Sequence, residues 1–233
     1  MRNDRRDGLR ISRRGALICL CGLTTAPLVI TPVRGQLISD ETELKLQGGH
    51  LEMSRAVDRI YAMSNDQEDL AEKVLEKARG LDLMIATAES CTGGLVAAAL
   101  TSIAGSSDVF ERGFVTYSNE AKAEMLGVDP VLIEAHGAVS QEVAIAMAAC
   151  ALKRSRAALS VAVTGIAGPS GGTAAKPVGL VHFAAAKQLS QPGGADFTYI
   201  HKEERFGDIG RAEVRAKSVD TALHLLLEAA DLS

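Results

Sequence analysis

From residue 65 onward the apolar positions come in blocks whose period switches between helix and strand. Leu70, Val74 and Ala78 recur at helical spacing behind Asn65-Asp66-Gln67-Glu68, a capped helix start, and Gly80 supplies the stop. Leu83 to Ala88 is a short apolar run of strand character that ends abruptly at Glu89-Ser90. The chain then passes through Thr92-Gly93-Gly94 and resumes at Leu95 as an alanine-rich helix to about Ser102. This strand–turn–helix, Met84 to Leu100, is the stretch that the other motifs serve.

The alternation continues. Gly105-Ser106-Ser107 is a loop and Gly113 to Tyr117 a second strand. Ser118-Asn119-Glu120 caps a helix running to Gly127, Pro130 opens a short helix toward Ala135, and Ser140 caps a longer one to about Arg154. Leu159 to Thr164 is a buried strand that runs into the glycine-rich loop Gly165 to Gly172. Val178 to Ala186 and Thr198 to Arg205 predict a hairpin with a long loop, and a helix from about Arg211 to Ala229 closes the chain. Helices and strands alternate first and the ribbon comes late. The fold expected is α/β, a three-layer α/β/α sandwich with a mixed central sheet.

Residues 1–64 read differently. Six arginines between Arg2 and Arg14 precede an apolar segment, Ala16 to Val33, in the manner of a twin-arginine export signal. Pro27 and Pro32 argue against a stable membrane-spanning helix. The expected organisation is a basic and apolar extension over 1–34, a linker over 35–64 with one short helix from Leu51 to Met63, and one domain over 65–233. Export and a mis-assigned upstream start are both open for the extension.

Composition narrows the chemistry. The 233 residues are 47% hydrophobic but only 3% aromatic, with no tryptophan, so the core must be built from small aliphatic side chains in tight layers. The net charge of −4 hides a basic start on an acidic body, which argues against non-specific nucleic-acid binding. Cys19, Cys21, Cys91 and Cys150 have neither disulfide-framework nor zinc spacing, and the five histidines are dispersed. No metal site is expected.

Three loops directly follow strands, the place where α/β proteins build sites. They are Glu89 to Gly94, Tyr117 to Lys122, and Thr164 to Pro169. Ser90 at the first turn can be a helix cap, an anion ligand or a nucleophile. Lys122 falls in the first turn of a helix, where a cation opposes the dipole. It could serve as base to Ser90 if its pKa fell by roughly 3 units, about 4 kcal/mol, which burial and a helix end can supply. Tyr117 could orient the proton, and N–H groups around Thr92-Gly93-Gly94 could form an oxyanion hole. Cys91 is the rival nucleophile, its thiol expected to be acidified by the helix start. A strand-to-turn junction, however, presents only one of two neighbours to a site. The glycine loop is neither a dinucleotide fingerprint nor a P-loop.

Taken together, Thr87-Ala88-Glu89-Ser90-Cys91-Thr92-Gly93-Gly94, Tyr117-Ser118-Asn119 with Lys122, Gly137-Ala138-Val139-Ser140 and Thr164-Gly165-Ile166-Ala167-Gly168-Pro169 resemble the CinA C-terminal domain, the family that includes the PncC-type nicotinamide-nucleotide amidohydrolases. The likeness covers about residues 66–230. It implies hydrolysis of nicotinamide mononucleotide to nicotinate mononucleotide and ammonia, in pyridine-nucleotide recycling, with no cofactor and no metal. It implies Ser90 as nucleophile and Lys122 with Tyr117 as the proton-handling pair. Glu89, Thr92, Gly93, Gly94, Asn119, Thr164 and Gly165 would bind substrate, with Arg205 and Arg211, and Arg215 behind them, as candidates for its phosphate.

By the same resemblance the partner is a small nucleotide, the protein is a homo-oligomer and its place is the cytoplasm, with export as the alternative. The large N-terminal domain that many CinA proteins carry has no counterpart in this sequence, so its activity is not expected. Two other readings remain: a nucleotide-binding or regulatory module without turnover, and a general Ser–Lys amidase or peptidase.

Overall fold

The protein is described here by a computed structural model covering residues 65–189 and 196–233. The expectations for the extension, the linker and the helix from Leu51 to Met63 lie outside the described residues.

The chain runs α1 (Asn65–Gly80), β1 (Ile85–Glu89), α2 (Leu95–Thr101), a 3-10 turn (Ser106–Asp108), β2 (Phe110–Val115), and α3 (Asn119–Ala121) continuing as a π-helical turn (Lys122–Leu126). It then runs α4 (Pro130–His136), α5 (Gln141–Lys153), β3 (Leu159–Gly165), β4 (Leu180–Gln188), β5 (Phe197–Arg205) and α6 (Arg211–Ala230). One five-stranded sheet has the order β2-β1-β3-β4-β5. β1 pairs parallel with β2 and β3, whereas β4 is antiparallel to both β3 and β5. The sheet is mixed and β4–β5 is the expected hairpin.

Strand alternation sorts side chains onto two faces. Ile85, Val161, Val163, Val181, Phe183 and Ala185 enter one core with Val74, Leu75, Val96, Leu100, Leu223 and Leu226, so α1, α2 and α6 cover that face. Ala86, Ala88, Ala162, Ala184 and Ala186 enter the other, with Leu126, Ile133, Val143 and Met147 from the π turn, α4 and α5. The second face of the sheet is floored by alanines, which lets α5 lie close against it. Three layers result, as the alternation of elements predicted.

The second strand departs from expectation. It spans Phe110–Val115 instead of starting at Gly113, because an edge strand can carry the charged Glu111 and Arg112, which form an ion pair with each other. It ends at Val115 because its partner β1 ends at Glu89, and only Thr116 N–H still reaches the Glu89 carbonyl (2.8 Å). Tyr117 therefore stands on the loop, not on the strand. The predicted caps at Ser118 and Ser140 form: their Oγ atoms accept from Ala121 N–H (3.0 Å) and Val143 N–H (3.3 Å).

Candidate active site

Parallel β1 and β2 end side by side, with Glu89 opposite Val115, so the loops that follow them leave the sheet together. Ser90 extends the β1 ladder by one bond, its N–H donating to Val163 O (2.9 Å). Even-numbered residues of β1 face the α5 side, and Ser90 continues that parity. From the neighbouring loop, Lys122 heads the π turn and points back toward the sheet. Its Nζ lies 3.1 Å from Ser90 Oγ and 2.9 Å from Thr116 O. Departures from α-helical hydrogen bonding of this kind recur at functional sites, because they redirect a side chain within an otherwise regular turn.

Lys122 is 1% exposed and Ser90 is 8% exposed. Burial pushes the Lys122 amine below the usual lysine range, with the Cys91 sulfur acting weakly in the opposite sense. Its recorded partners are one hydroxyl and one carbonyl, neither of which carries a charge to hold the proton on the nitrogen.

The two side chains open into a cavity of about 340 Å³. Tyr117 and Asn119 line one side, Thr164 and Gly165 the floor at the end of β3, and Arg211 the far rim. Among the described residues lining it there is no Asp or Glu. Arg211 donates to Gly168 O (3.0 Å) and to the Tyr117 hydroxyl (2.7 Å), so the Tyr117 oxygen, on a ring that is 59% exposed, is turned toward Arg211. Thr164 Oγ1 donates to Ala138 O (2.7 Å), tying β3 to the 137–140 turn. Gly165 has no room for a side chain: an added Cβ would stand 2.7 Å from Val181 Cγ2 and 2.8 Å from Leu180 O.

Other sequence candidates lie elsewhere. Arg205 is on β5, outside the cavity lining, with its Nε paired to Glu203 Oε1 at 2.7 Å. Arg215 Nη2 donates to Thr92 O (2.9 Å) from beneath the first loop. Thr92 is fully buried with its hydroxyl unpartnered among the described residues, and neither it nor Gly93 nor Gly94 lines the cavity. Glu89 does not line it either. Its carboxylate lies at the start of α2, where Oε2 accepts from Gly94 and Val96 N–H (2.9 and 3.1 Å) and Oε1 from Ala97 N–H (2.8 Å).

Two expectations need correcting. The positive end of α2 is not offered to a ligand at the turn, because the Glu89 carboxylate occupies its N–H groups. Gly93 N–H turns back to Ser90 O (3.1 Å) and Gly94 N–H goes to Glu89, so neither glycine amide is free for an oxyanion. Cys91 is among the residues lining the cavity, but it is buried and counted in the core that α1, α2 and α6 cover. Burial pushes its thiol up to about 12 instead of acidifying it, with Glu89 adding to the rise.

The sequence also left unnoticed a clasp beside the cavity. Lys176 Nζ donates to His136 O and Val139 O, both at 2.7 Å, and so ties the segment after the glycine-rich loop to the turn carrying Ala138 and Val139, two lining residues. A lysine held by carbonyls has no sequence signature. Among the described residues no group of three His, Cys, Asp or Glu is disposed to hold a metal ion, and no helix is long and apolar enough to cross a membrane.

The geometry can be set beside known proteins. The CinA C-terminal domain family matches residues 67–230. A CinA-like protein of Mycolicibacterium paratuberculosis is 50% identical over 170 residues, which cover 72% of this chain and 37% of that protein. One from Synechococcus sp. is 42% identical over 219 residues, 94% of this chain and 45% of that protein. The chain thus spans less than half the length of these curated relatives. Among solved structures, the competence/damage inducible protein CihA of Agrobacterium tumefaciens superposes with a TM-score of 0.68 at 52% identity, covering 72% of this chain and 98% of that one. The competence damage-inducible protein A of Klebsiella pneumoniae gives 0.64 at 33% identity, covering 72% and 99%. With the matched motifs gathered around one cavity, and a family match that runs from α1 to the end of α6, this chain belongs to the CinA C-terminal domain family.

Proposed function

We propose that the chain hydrolyses the carboxamide of nicotinamide mononucleotide, giving nicotinate mononucleotide and ammonia. One observation carries the reading: a buried lysine amine, depressed in basicity, stands 3.1 Å from a serine hydroxyl at the end of a cavity. A serine needs a base, and a neutral lysine amine is one.

Neutral Lys122 Nζ takes the Ser90 proton as Oγ attacks the carboxamide carbon, and the carbonyl electron pair moves onto oxygen. Backbone N–H groups of the turn after β1 would be the donors to that oxygen. As the tetrahedral centre collapses, the Lys122 ammonium gives its proton to the leaving nitrogen. Ammonia departs and an ester remains on Ser90. Water then attacks the ester with Lys122 again as base, and collapse releases the carboxylate and restores the hydroxyl. Arg211 supplies a cationic rim suited to a phosphate, and a lining without carboxylates suits an anionic substrate. With its hydroxyl held by Arg211, Tyr117 serves this end of the site, and the proton handling rests on Lys122.

The test is ammonia release from nicotinamide mononucleotide by the full chain. Stoichiometric ammonia and nicotinate mononucleotide are expected. Saturable binding of the mononucleotide without product after prolonged incubation would overturn the reading in favour of a binding module. Equal turnover of simple amides lacking phosphate would overturn the substrate assignment.

A further inference from the structure

We propose that Glu89 is a positioning residue of the nucleophile turn, acting from the opposite face of the sheet, and not a substrate ligand. The inference rests on the reading of Ser90 as nucleophile. Three observations carry it.

Parity is the first. Ile85 faces the α1–α2–α6 core while Ala86 and Ala88 face the α5 side, so Glu89 and Ser90, successive residues, point to opposite faces. The Glu89 partners on α2 agree, since Val96 and Leu100 of that helix pack in the first core. The Glu89 side chain, on that face, is not among the residues that line the cavity.

The second is burial and engagement. Glu89 is 1% exposed, and both its oxygens accept from backbone N–H groups of the helix start, three in all, within 3.1 Å. The carboxylate is committed to the chain's own donors.

The third is where those bonds fall. They run from the last residue of β1 to Gly94, Val96 and Ala97, bracketing the loop that holds Ser90, Cys91 and Thr92. Arg215 holds the same loop by the Thr92 carbonyl, and Gly93 N–H closes it onto Ser90 O. The turn that carries Ser90 is thereby fixed at both ends and in its middle. An anion suits the helix start electrostatically, and a carboxylate has acceptor capacity on both oxygens. An amide in its place must turn an NH2 toward one set of N–H donors.

The experiment compares the full chain with Glu89→Gln and Glu89→Asp, using two readouts. One is kcat and KM for ammonia release. The other is the rate at which a fluorophosphonate labels Ser90, read by peptide mass spectrometry: Oγ–P forms, fluoride leaves and the hydroxyl proton passes to Lys122. Displacement of a reacting group by about 1 Å costs on the order of 10²-fold. Glu89→Gln is therefore expected to lose about that factor in kcat and in labelling, with KM within roughly two-fold and circular dichroism unchanged. Glu89→Asp keeps the charge and falls between.

A raised KM with wild-type labelling would make Glu89 a substrate ligand and overturn the proposal. A lowered Tm with wild-type kcat and labelling in the folded protein would reduce it to a stability cap and overturn it equally. If Glu89→Gln does not fold, the Asp variant decides: wild-type labelling there overturns the proposal. Wild-type protein that labels at Ser90 but releases no ammonia discards the mononucleotide substrate alone, and labelling still tests Glu89. Failure of the wild-type serine to label discards both.

Discussion

Ser90 Oγ and Lys122 Nζ, 32 positions apart in the chain, meet at 3.1 Å because the parallel strands before them end in register. Nothing in either loop alone brings them together. Adjacency of β1 and β2 does so, and the π turn at Lys122 aims the amine inward. An amine buried in this way lacks a carboxylate among its recorded partners, so the arrangement costs stability that a purely structural site would not spend.

Lys122→Met is accordingly predicted to separate stability from activity. The methionine fills a similar volume without a desolvated amine, so Tm should stay level or rise. Ammonia release should fall by about 10²–10⁴-fold, the ordinary contribution of a general base. Thermal melts and steady-state kinetics on the same preparation check both halves.

The pH–rate profile follows from the direction of the Lys122 shift. Below its folded pKa the amine is protonated and cannot accept the Ser90 proton; above it the amine is neutral. Burial lowers that pKa, so kcat/KM should climb with pH through a midpoint below the ordinary lysine value of about 10.4. The unfolded chain binds more protons between the folded pKa and that value, so stability should also rise with pH across the window. The stability rise should be missing in Lys122→Met, as melts across the same pH range would reveal.

Much of this was legible before any coordinates. The apolar run Leu159 to Thr164, the capped helix at Ser140 and the alternation of elements were enough for the three layers. Ser90 and Lys122 were legible as a pair because each stands directly after a strand, and strand ends cluster in α/β folds. That the Glu89 carboxylate meets the start of α2 was not legible, because the face of β1 it occupies is a matter of register with α2 that periodicity over five residues does not fix. Arg205 and Arg211 are phosphate candidates alike by the family resemblance. The strand ends between them, leaving one paired with Glu203 and the other at the cavity rim. The Lys176 clasp depends on two backbone carbonyls, and carbonyls are the same in every residue.

The arginines give a direct contrast. Arg211→Met should raise KM for the mononucleotide by about 10–100-fold, the loss of a charge-assisted contact of about 1.5–3 kcal/mol. Arg205→Met should leave KM unchanged, since its guanidinium is engaged outside the cavity. A reversed pattern would move the phosphate to the β5 side.

A pair of histidines should contribute to the loss of stability in mild acid. His182 Nδ1 and His201 Nε2 lie 3.1 Å apart on the face that also carries Thr164, which is opposite His182 in the β3–β4 register. Burial lowers the pKa of both. Glu203 opposes the shift in each and Glu142 in His201, while His201, Lys176 and Arg205 reinforce it in His182. The folded state therefore resists protonation, and stability should be lost as pH falls below the unfolded value of about 6.5. Tm measured from pH 7.5 to 5 should fall less steeply in the His182→Gln/His201→Gln double variant than in the wild type.

The central claim is that the hydroxyl of Ser90, and not the neighbouring thiol, attacks the amide. Its most direct test is kcat for ammonia release in Ser90→Ala beside Cys91→Ala, each shown to be folded. We expect Ser90→Ala to lose at least about 10³-fold while Cys91→Ala, whose side chain lies in the α1–α6 core, stays active. Sustained turnover in Ser90→Ala, with activity lost in Cys91→Ala, would contradict it.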